Sequence, residues 1–415
     1  MSADLKNTKF GVQDAVFIAD FGGLGTTAFG EKGQGKLANF ARQIIFVDPN
    51  ATALAFGSNV RFVIPKRQVF VGPTHLKVTF SAVSGAHLNG RLVEYAGMRM
   101  ANTMQLRYST NTLQTIQWQL LHLLYALRQN NEKQAVTDFL TKGSTAGGTW
   151  GSGAAGQAAR AALATAAQTL WCDIPFMYTR HPSKYMLTEA LAHEVEVDWQ
   201  MPTLAQMTQS DNAVIPTFTV SAAQLRLRCF HTEDVERDFH IDRTLQDTGV
   251  VSACTDFEYI LTATPTGTGT QRQVSLESLR GATTEIRFVI RNAADLATPG
   301  TNAYLPFTYQ QLLNWQIDAA GGLAVVRNLN HAENIFIENG FCHTAEPLWN
   351  VYGMATALDP EDELNATGED NYGNFTTATL TMNFTADPGS ILVDVIAITK
   401  NTWQEVKGDY VKNFQ

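Results

Sequence analysis

The clearest pattern along the chain is a strict alternation of apolar and acidic side chains near its middle. Val195, Val197 and Trp199 are separated by single acidic residues, and Glu194 precedes the first of them. Successive side chains of a β-strand point to opposite faces, so this spacing predicts a strand with one buried and one solvated face. The strand is predicted to close a β-unit that occupies the first half of the chain.

The same period recurs in both halves, in segments around residues 60–64, 76–80, 225–229, 286–290 and 380–384. The run Ile391–Ile398 is almost entirely apolar and predicts a strand buried on both faces. The chain is therefore predicted to be all-β, and its 415 residues fit two units of about 200 residues each. Met201–Pro216 is the predicted junction, which divides the chain into residues 1–212, with an N-terminal arm at Met1–Phe21, and residues 213–415.

Three segments break the strand pattern. Asn89-Gly90 lies between two apolar runs and predicts a two-residue hairpin turn, since both residues tolerate positive φ. From Asn111, which can cap a helix, to Leu127, apolar residues recur at helical spacing, which predicts a helix packed on its own unit rather than on a partner. Gly143–Gln168 is rich in small residues, and its second part predicts a short Ala-rich helix in a loop that is either exposed or ordered by a neighbouring subunit.

Composition and charge narrow the function. Hydrophobic residues make up 45% of the chain and charged residues 17%, which fits either a well-packed monomer or a protein buried against further copies of itself. The net charge is −9 and the 30 basic residues are scattered, so direct nucleic-acid binding is not expected. No secretory leader and no membrane-spanning segment is expected either.

The four cysteines are far apart and match no metal-binding spacing. Each lies in an apolar or strand-like context, so all four are predicted to be buried free thiols: Cys172, Cys229, Cys254 and Cys342. Free thiols favour a reducing compartment, which predicts synthesis and assembly in the cytoplasm.

One glycine-rich segment approaches a phosphate-binding loop. Gly30–Lys36 has the spacing of such a loop up to its lysine, but Leu37 stands where a hydroxyl would ligate magnesium. The segment is therefore predicted to be an ordinary loop.

Histidines and carboxylates form no convincing site. His193 and Glu194 would face opposite sides of a strand, and His231 and His240 merely bracket an acidic patch that includes Asp242. Two adjacent carboxylate pairs fall in predicted turns: Glu233-Asp234 and Glu361-Asp362. No catalytic, cofactor-binding or metal-ligating residue is predicted, and the chain is not expected to be an enzyme.

Several segments, taken in order, resemble the double jelly-roll major capsid proteins of large eukaryotic double-stranded DNA viruses. They cover residues 170 to 415 and include Ile174–Met177, Leu187–Ala192, His193–Val195, Leu225–His240, Ile335–Gly340, Tyr352–Thr376 and Gly408–Phe414. The resemblance implies two tandem eight-stranded jelly rolls, with short helices in the loops between strands.

The resemblance also implies a function. A structural capsid protein of this family forms pseudo-hexagonal homotrimeric capsomers that tile an icosahedral shell in the virion. Its expected partners are other copies of itself and minor capsid or penton proteins, with an inner membrane possible beneath the shell. Two alternatives stay open. One is a monomeric tandem β-sandwich that binds glycans through Trp349, Tyr352 and Tyr372, and the other is a nucleotide hydrolase built on Gly30–Lys36.

Overall fold

The fold was analysed in a computed structural model. It describes residues 40–51, 54–67, 69–128, 131–141, 154–212, 214–232, 234–246, 249–293, 312–319, 323–330, 333–334, 343, 351–362, 367–372 and 377–412.

Antiparallel strands form two successive units, here called roll 1 and roll 2. Roll 1 contains β1 (Phe40–Val47), β2 (Asn59–Ile64), β3 (Phe70–Phe80), β4 (Arg91–Leu92), β5 (Thr103–Tyr108), β6 (Asn111–Gln117), β7 (Gln168–Ile174), β8 (Met186–Leu187), β9 (Val195–Gln200), β10 (Thr208–Gln209) and β11 (Val220–Thr232). Roll 2 contains β12 (Val250–Ala263), β13 (Gln271–Ser275), β14 (Ala282–Asn292), β15 (Leu312–Ala319), β16 (Leu323–Asn330), β17 (Tyr352–Ala355), β18 (Asp370–Asn371), β19 (Ala378–Phe384), β20 (Ile391–Val406) and β21 (Asp409–Lys412).

The longer strands of each roll form two sheets with the same order. In roll 1 they are sheet A (β1-β11-β3-β7) and sheet B (β2-β9-β5-β6), and in roll 2 they are sheet C (β12-β20-β14-β17) and sheet D (β13-β19-β15-β16). When the eight long strands of each roll are numbered in chain order, the two sheets of each roll have the strand orders 1-8-3-6 and 2-7-4-5. This is the order of an eight-stranded jelly roll. The fold class expected from the sequence, two tandem jelly rolls, is therefore confirmed.

Short helices lie in the loops between these strands, as expected. They are α1 (Ala96–Arg99), α2 (Trp118–Arg128), α3 (Asn131–Thr141), α4 (Ala154–Ala164), α5 (Leu204–Met207) and α6 (Asp234–Leu245). The predicted Ala-rich helix is α4, and it packs on its own roll through the buried Arg160, whose Nε donates to the carbonyl of Leu92. No described helix is long and apolar enough to cross a membrane.

The strand pattern near the middle of the chain is confirmed. Val195, Val197 and Trp199 are buried in β9, while Glu196 and Asp198 are partly exposed. Strand β20 is buried on both faces over residues 393–399, as its apolar run predicts.

Two local predictions are wrong. Asn111–Gln117 is strand β6, and the helix begins only at Trp118, because the β-branched Thr112, Thr115 and Ile116 favour an extended backbone. Asn89-Gly90 does not join a hairpin, since β3 pairs with β7, β8 and β11 while β4 pairs with β10. Asn89 nevertheless has a positive φ of 50°.

Strand β11 lies beyond the predicted division between residues 212 and 213. Strand β11 pairs with β1 and β3, so it is the eighth strand of roll 1, and β9 is the seventh. A division between residues 212 and 213 separates β11 from its sheet. The proline-containing stretch holds α5 and β10, and β10 pairs with β4 of roll 1.

Candidate assembly surfaces

The candidate chemical groups do not converge. Among the described residues, no three histidine, cysteine or carboxylate side chains form a group that could hold a metal ion. His231 Nε2 lies 2.7 Å from Gln43 Oε1, and His240 Nε2 lies 3.1 Å from Glu405 Oε2, so each histidine has a separate partner. The segments Gly30–Lys36, Ile335–Gly340 and 373–376 lie outside the described residues, as do Glu233, Cys342 and Trp349.

Three of the cysteines are confirmed as buried free thiols. Burial raises the pKa of Cys229 to about 11 and that of Cys254 to about 12, and it raises the pKa of Cys172 well above its usual value. Since the thiolate is the reactive form, these side chains are inert at neutral pH.

The outer face of sheet C is buried against roll 1. Within sheet C, residues such as Ile286, Phe288 and Val395 face the core of roll 2, whereas Ile396 and Ile398 belong to the core cluster of roll 1. Phe257, Val289 and Val351 join the same cluster from the roll 2 side. Roll 1 and roll 2 therefore share a continuous apolar joint.

A buried glutamine ties three segments together at this joint. Gln114, on β6, donates from Nε2 to the carbonyl oxygen of Thr255 at 2.9 Å, and its Oε1 accepts the N–H of Met177 at 2.7 Å. The hydroxyl of Tyr259 donates to the carbonyl of Thr115 at 2.9 Å. Buried polar groups cost free energy when unpaired, so these bonds fix the register of β6 against β12.

The segment after β7 lies at the same joint. The guanidinium of Arg180 lies 5.6 Å from the ring centroid of Phe257, and Met177 is only 1% exposed. This segment, residues 175–180, is thus the part of roll 1 that follows its sixth long strand and packs on β12.

A tight turn of roll 2 contacts roll 1 at Tyr108 and Ala192. Strands β20 and β21 are joined by Lys407 and Gly408, both at positive φ (52° and 84°), as in a two-residue hairpin turn. The Gly408 carbonyl accepts from the Ala192 N–H at 2.7 Å and from the Tyr108 hydroxyl at 2.6 Å. A Cβ on Gly408 would lie 3.2 Å from the Ala192 nitrogen, so glycine allows both the turn and the close approach.

The joint also buries charge. Arg287 and Arg291 alternate with apolar residues in β14, which from sequence suggests a solvated face, yet both are almost fully buried. Arg287 bonds to Glu285, and Arg291 Nη2 lies 2.8 Å from Asp394 Oδ2. Arg291 lies against roll 1, with its guanidinium 5.9 Å from the ring centroid of Trp118, whereas Arg287 Nη2 lies 2.9 Å from Nε2 of the buried His343. Each cation has a carboxylate partner, as buried charges require.

The corresponding face of roll 1, the outer face of sheet A, is covered by Tyr185 at its Phe230 end and, within the described part of the chain, is exposed along β1. Ile44 and Phe46 on β1 are 50% and 48% exposed. Lys77 Nζ lies 5.5 Å from the Phe46 ring centroid and 5.4 Å from that of Trp171. Arg226 and Arg228 also lie on this face. It is therefore a basic surface with an exposed apolar edge.

Sheet B has a polar outer face that borders a cleft of about 480 Å³. Asp198 bonds to Arg61 Nε at 2.8 Å and to Arg107 Nη1 at 2.7 Å, and Arg61 also reaches Glu196 at 3.1 Å. Partial burial would raise the pKa of Asp198, but the bonds from Arg61 and Arg107 outweigh it and lower the pKa below its usual value. The acidic face of β9 is thus neutralised by arginines of the neighbouring strands.

Two of the three aromatic residues proposed for glycan binding are described, and neither is exposed. Tyr352 stacks on Phe288 in the core of roll 2, and Tyr372 is buried in the same core. Aromatic rings buried in a core cannot stack on a sugar.

Comparison with known proteins decides the fold. No protein-family model and no curated protein sequence matches the chain. Among solved structures, the VP54 protein of PBCV-1, fitted into a reconstruction of the virophage Sputnik, covers 94% of this chain and all of its own, with a TM-score of 0.71 at 14% identity. The Faustovirus major capsid protein covers 90% of this chain and 92% of its own (TM-score 0.69, 10% identity), and the mavirus major capsid protein covers 94% of each (TM-score 0.52, 10% identity).

The chain has the double jelly-roll fold. The resemblance inferred from sequence is confirmed at the level of the fold, which extends over both halves, including the first 100 residues as far as they are described. In this double jelly roll, the features that sequence reasoning missed are the residues of the joint. Lys407-Gly408 between two strand-like runs was a usable signal for the turn, whereas nothing around Gln114 distinguishes it from a surface glutamine.

Proposed function

We propose that this chain is a structural capsid protein whose trimers form the pseudo-hexagonal capsomers of an icosahedral viral shell. The observation that carries the proposal is the repetition of one strand order in both rolls, in a fold similar to that of viral major capsid proteins. A cyclic trimer of such a chain contains six similar rolls arranged around its axis, a shape that packs into a hexagonal lattice.

The charge and chemistry of the chain agree with a structural role. A net charge of −9 with scattered basic residues suits a shell protein that does not contact packaged nucleic acid. We propose no catalytic, cofactor or metal-binding residue. Other capsomers and minor capsid proteins are the proposed partners, the virion is the proposed location, and the host cytoplasm is the proposed site of synthesis.

We also propose a revised division of the chain. Roll 1 would extend to Thr232 and roll 2 would begin at Val250, with α6 as the connector. This division keeps all eight long strands of each roll within one unit.

The test is the mass and shape of the purified full chain. Light scattering after size-exclusion chromatography should give three times the chain mass of 45.5 kDa, and negative-stain images should show hexagonal outlines. A stable monomer at micromolar concentration would contradict the proposal. No observation favours the glycan-binding alternative.

A further inference from the structure

Because the two rolls have the same strand order, each surface of roll 1 has a corresponding surface in roll 2. Sheet A corresponds to sheet C, and β1 corresponds to β12. The outer face of sheet C is covered within the chain by roll 1. Among the described residues, the outer face of sheet A, its counterpart, packs on Tyr185 and Leu187 only at its Phe70 and Phe230 end, and along β1 it exposes Ile44 and Phe46.

A second pair of counterparts concerns the covering segment. In roll 1 the sixth long strand, β7, ends at Ile174, and Met177 lies three residues later, buried at the joint. In roll 2 the sixth long strand, β17, ends at Ala355, and Leu358 lies three residues later. Leu358 is 89% exposed. Leu358 and the β1 edge of sheet A are therefore both exposed, on opposite rolls, at positions whose counterparts take part in the joint.

Charge supports the match. The exposed face of sheet A carries Lys77, Arg226 and Arg228. The segment around Leu358, residues 356–362, which we call the Leu358 segment, carries three carboxylates: Asp359, Asp362, and Glu361, which lies 3.3 Å from Nδ1 of His343 in the same chain. Opposite charge between two open apolar patches steers association and disfavours the pairing of either patch with itself.

We propose that the outer face of sheet A, at Ile44, Phe46 and Lys77, binds the Leu358 segment of another copy of this chain. The inference rests on the proposed function and specifies how the capsomer would be held together. The contact would be heterologous, with roll 2 of one copy on roll 1 of the next, and such a contact closes into a ring when each copy is rotated by a third of a turn. The new joint would repeat, between copies, the packing that residues 175–180 make on roll 2 within one chain.

Charge substitutions at the two patches test the contact. We expect Phe46→Asp and Leu358→Asp each to convert the trimer peak to a monomer of 45.5 kDa while the far-ultraviolet circular dichroism stays native, because both side chains are exposed in the single chain. Phe139→Asp and Leu88→Asp are matched controls, since these residues are similarly exposed (56% and 55%) outside both patches, and both variants should remain trimeric.

Cross-linking provides a readout that does not depend on folding losses. The double variant Phe46→Cys/Leu358→Cys, treated with a short bis-maleimide, should give covalent dimers and trimers in a denaturing gel. Either single variant should give neither, because a heterologous contact brings residue 46 of one copy to residue 358 of the next. The buried Cys172, Cys229 and Cys254 contribute little background.

The outcomes separate the two proposals. A wild-type trimer that survives both charge substitutions and shows no cross-link in the double variant would overturn this contact and leave the capsomer proposal standing. Cross-linking of either single variant to itself would replace the heterologous contact with a two-fold one. A wild-type monomer would overturn both proposals.

Discussion

The outer faces of sheet A and sheet C occupy the same position in their rolls, yet they differ in composition. Sheet C presents Phe257, Ile396 and Ile398, and roll 1 covers all three. Sheet A presents Lys77 and Arg226 beside the exposed edge residues of β1. The strand order is the same in both rolls, so the order alone does not determine what an outer face carries. The outer side chains follow the cover of each face: roll 1 covers sheet C within the chain, whereas sheet A keeps charged groups beside the exposed Ile44 and Phe46.

The difference between these faces can be tested by introducing an aspartate on each of them. Ile398→Asp places a carboxylate in the apolar joint, where nothing pairs with it, and should cost more than about 4 kcal/mol of unfolding free energy. Ile44→Asp makes the same change on sheet A, where the side chain is half exposed, and should leave the fold intact. Soluble yield and the urea midpoint of each purified variant measure the contrast.

Equal decreases in urea midpoint for Ile398→Asp and Ile44→Asp would show that the outer face of sheet A is buried to the same extent as that of sheet C. Ile45→Asp is the positive control on β1, because Ile45 points into the core of roll 1 and its substitution should be as damaging as that at Ile398.

The turn that closes the joint gives a smaller effect with a close control. Gly408→Ala puts a Cβ at a φ of 84° and within 3.2 Å of the Ala192 nitrogen, so we expect a loss of about 2–3 kcal/mol of unfolding free energy. Gly389 also has a positive φ, 69°, but a Cβ there meets nothing within 4 Å. Gly389→Ala should therefore cost only about 1 kcal/mol, the penalty of the backbone conformation alone. Thermal unfolding of both variants compares their melting temperatures. Equal decreases in melting temperature would show that the close contact between Gly408 and Ala192 does not contribute to the effect.

These two regions also show how far the sequence could be interpreted. The alternation in β9 and the apolar run in β20 correctly predicted two strands and which of their faces are buried. This was possible because a strand's own sequence shows whether one or both of its faces are apolar. Arg287 and Arg291 alternate with apolar residues as on a solvated face, yet both are buried by groups distant in sequence: His343 for Arg287, and Trp118 of roll 1 for Arg291. The predicted division at residues 212–213 was likewise drawn from local composition, whereas β11 pairs with β1 across most of roll 1 and no local pattern shows that pairing.

The mildest expected effect concerns the solvated side of roll 1. Asp198→Asn removes the carboxylate that accepts from Arg61 and Arg107, and because these groups are partly exposed the loss should be about 1 kcal/mol at neutral pH. The pKa of Asp198 is lowered in the folded chain, since the two arginine bonds outweigh its partial burial. A lowered pKa stabilises the fold fully above the ordinary value of 3.8, and the contribution is lost as pH falls below that value through the folded-state pKa. The wild type and Asp198→Asn should therefore differ in urea midpoint at pH 7 and converge as the solution is acidified below pH 3.8. A constant difference across that range would mean that the new amide perturbs packing against Arg61 and Arg107, and that the carboxylate charge itself contributes nothing to this face.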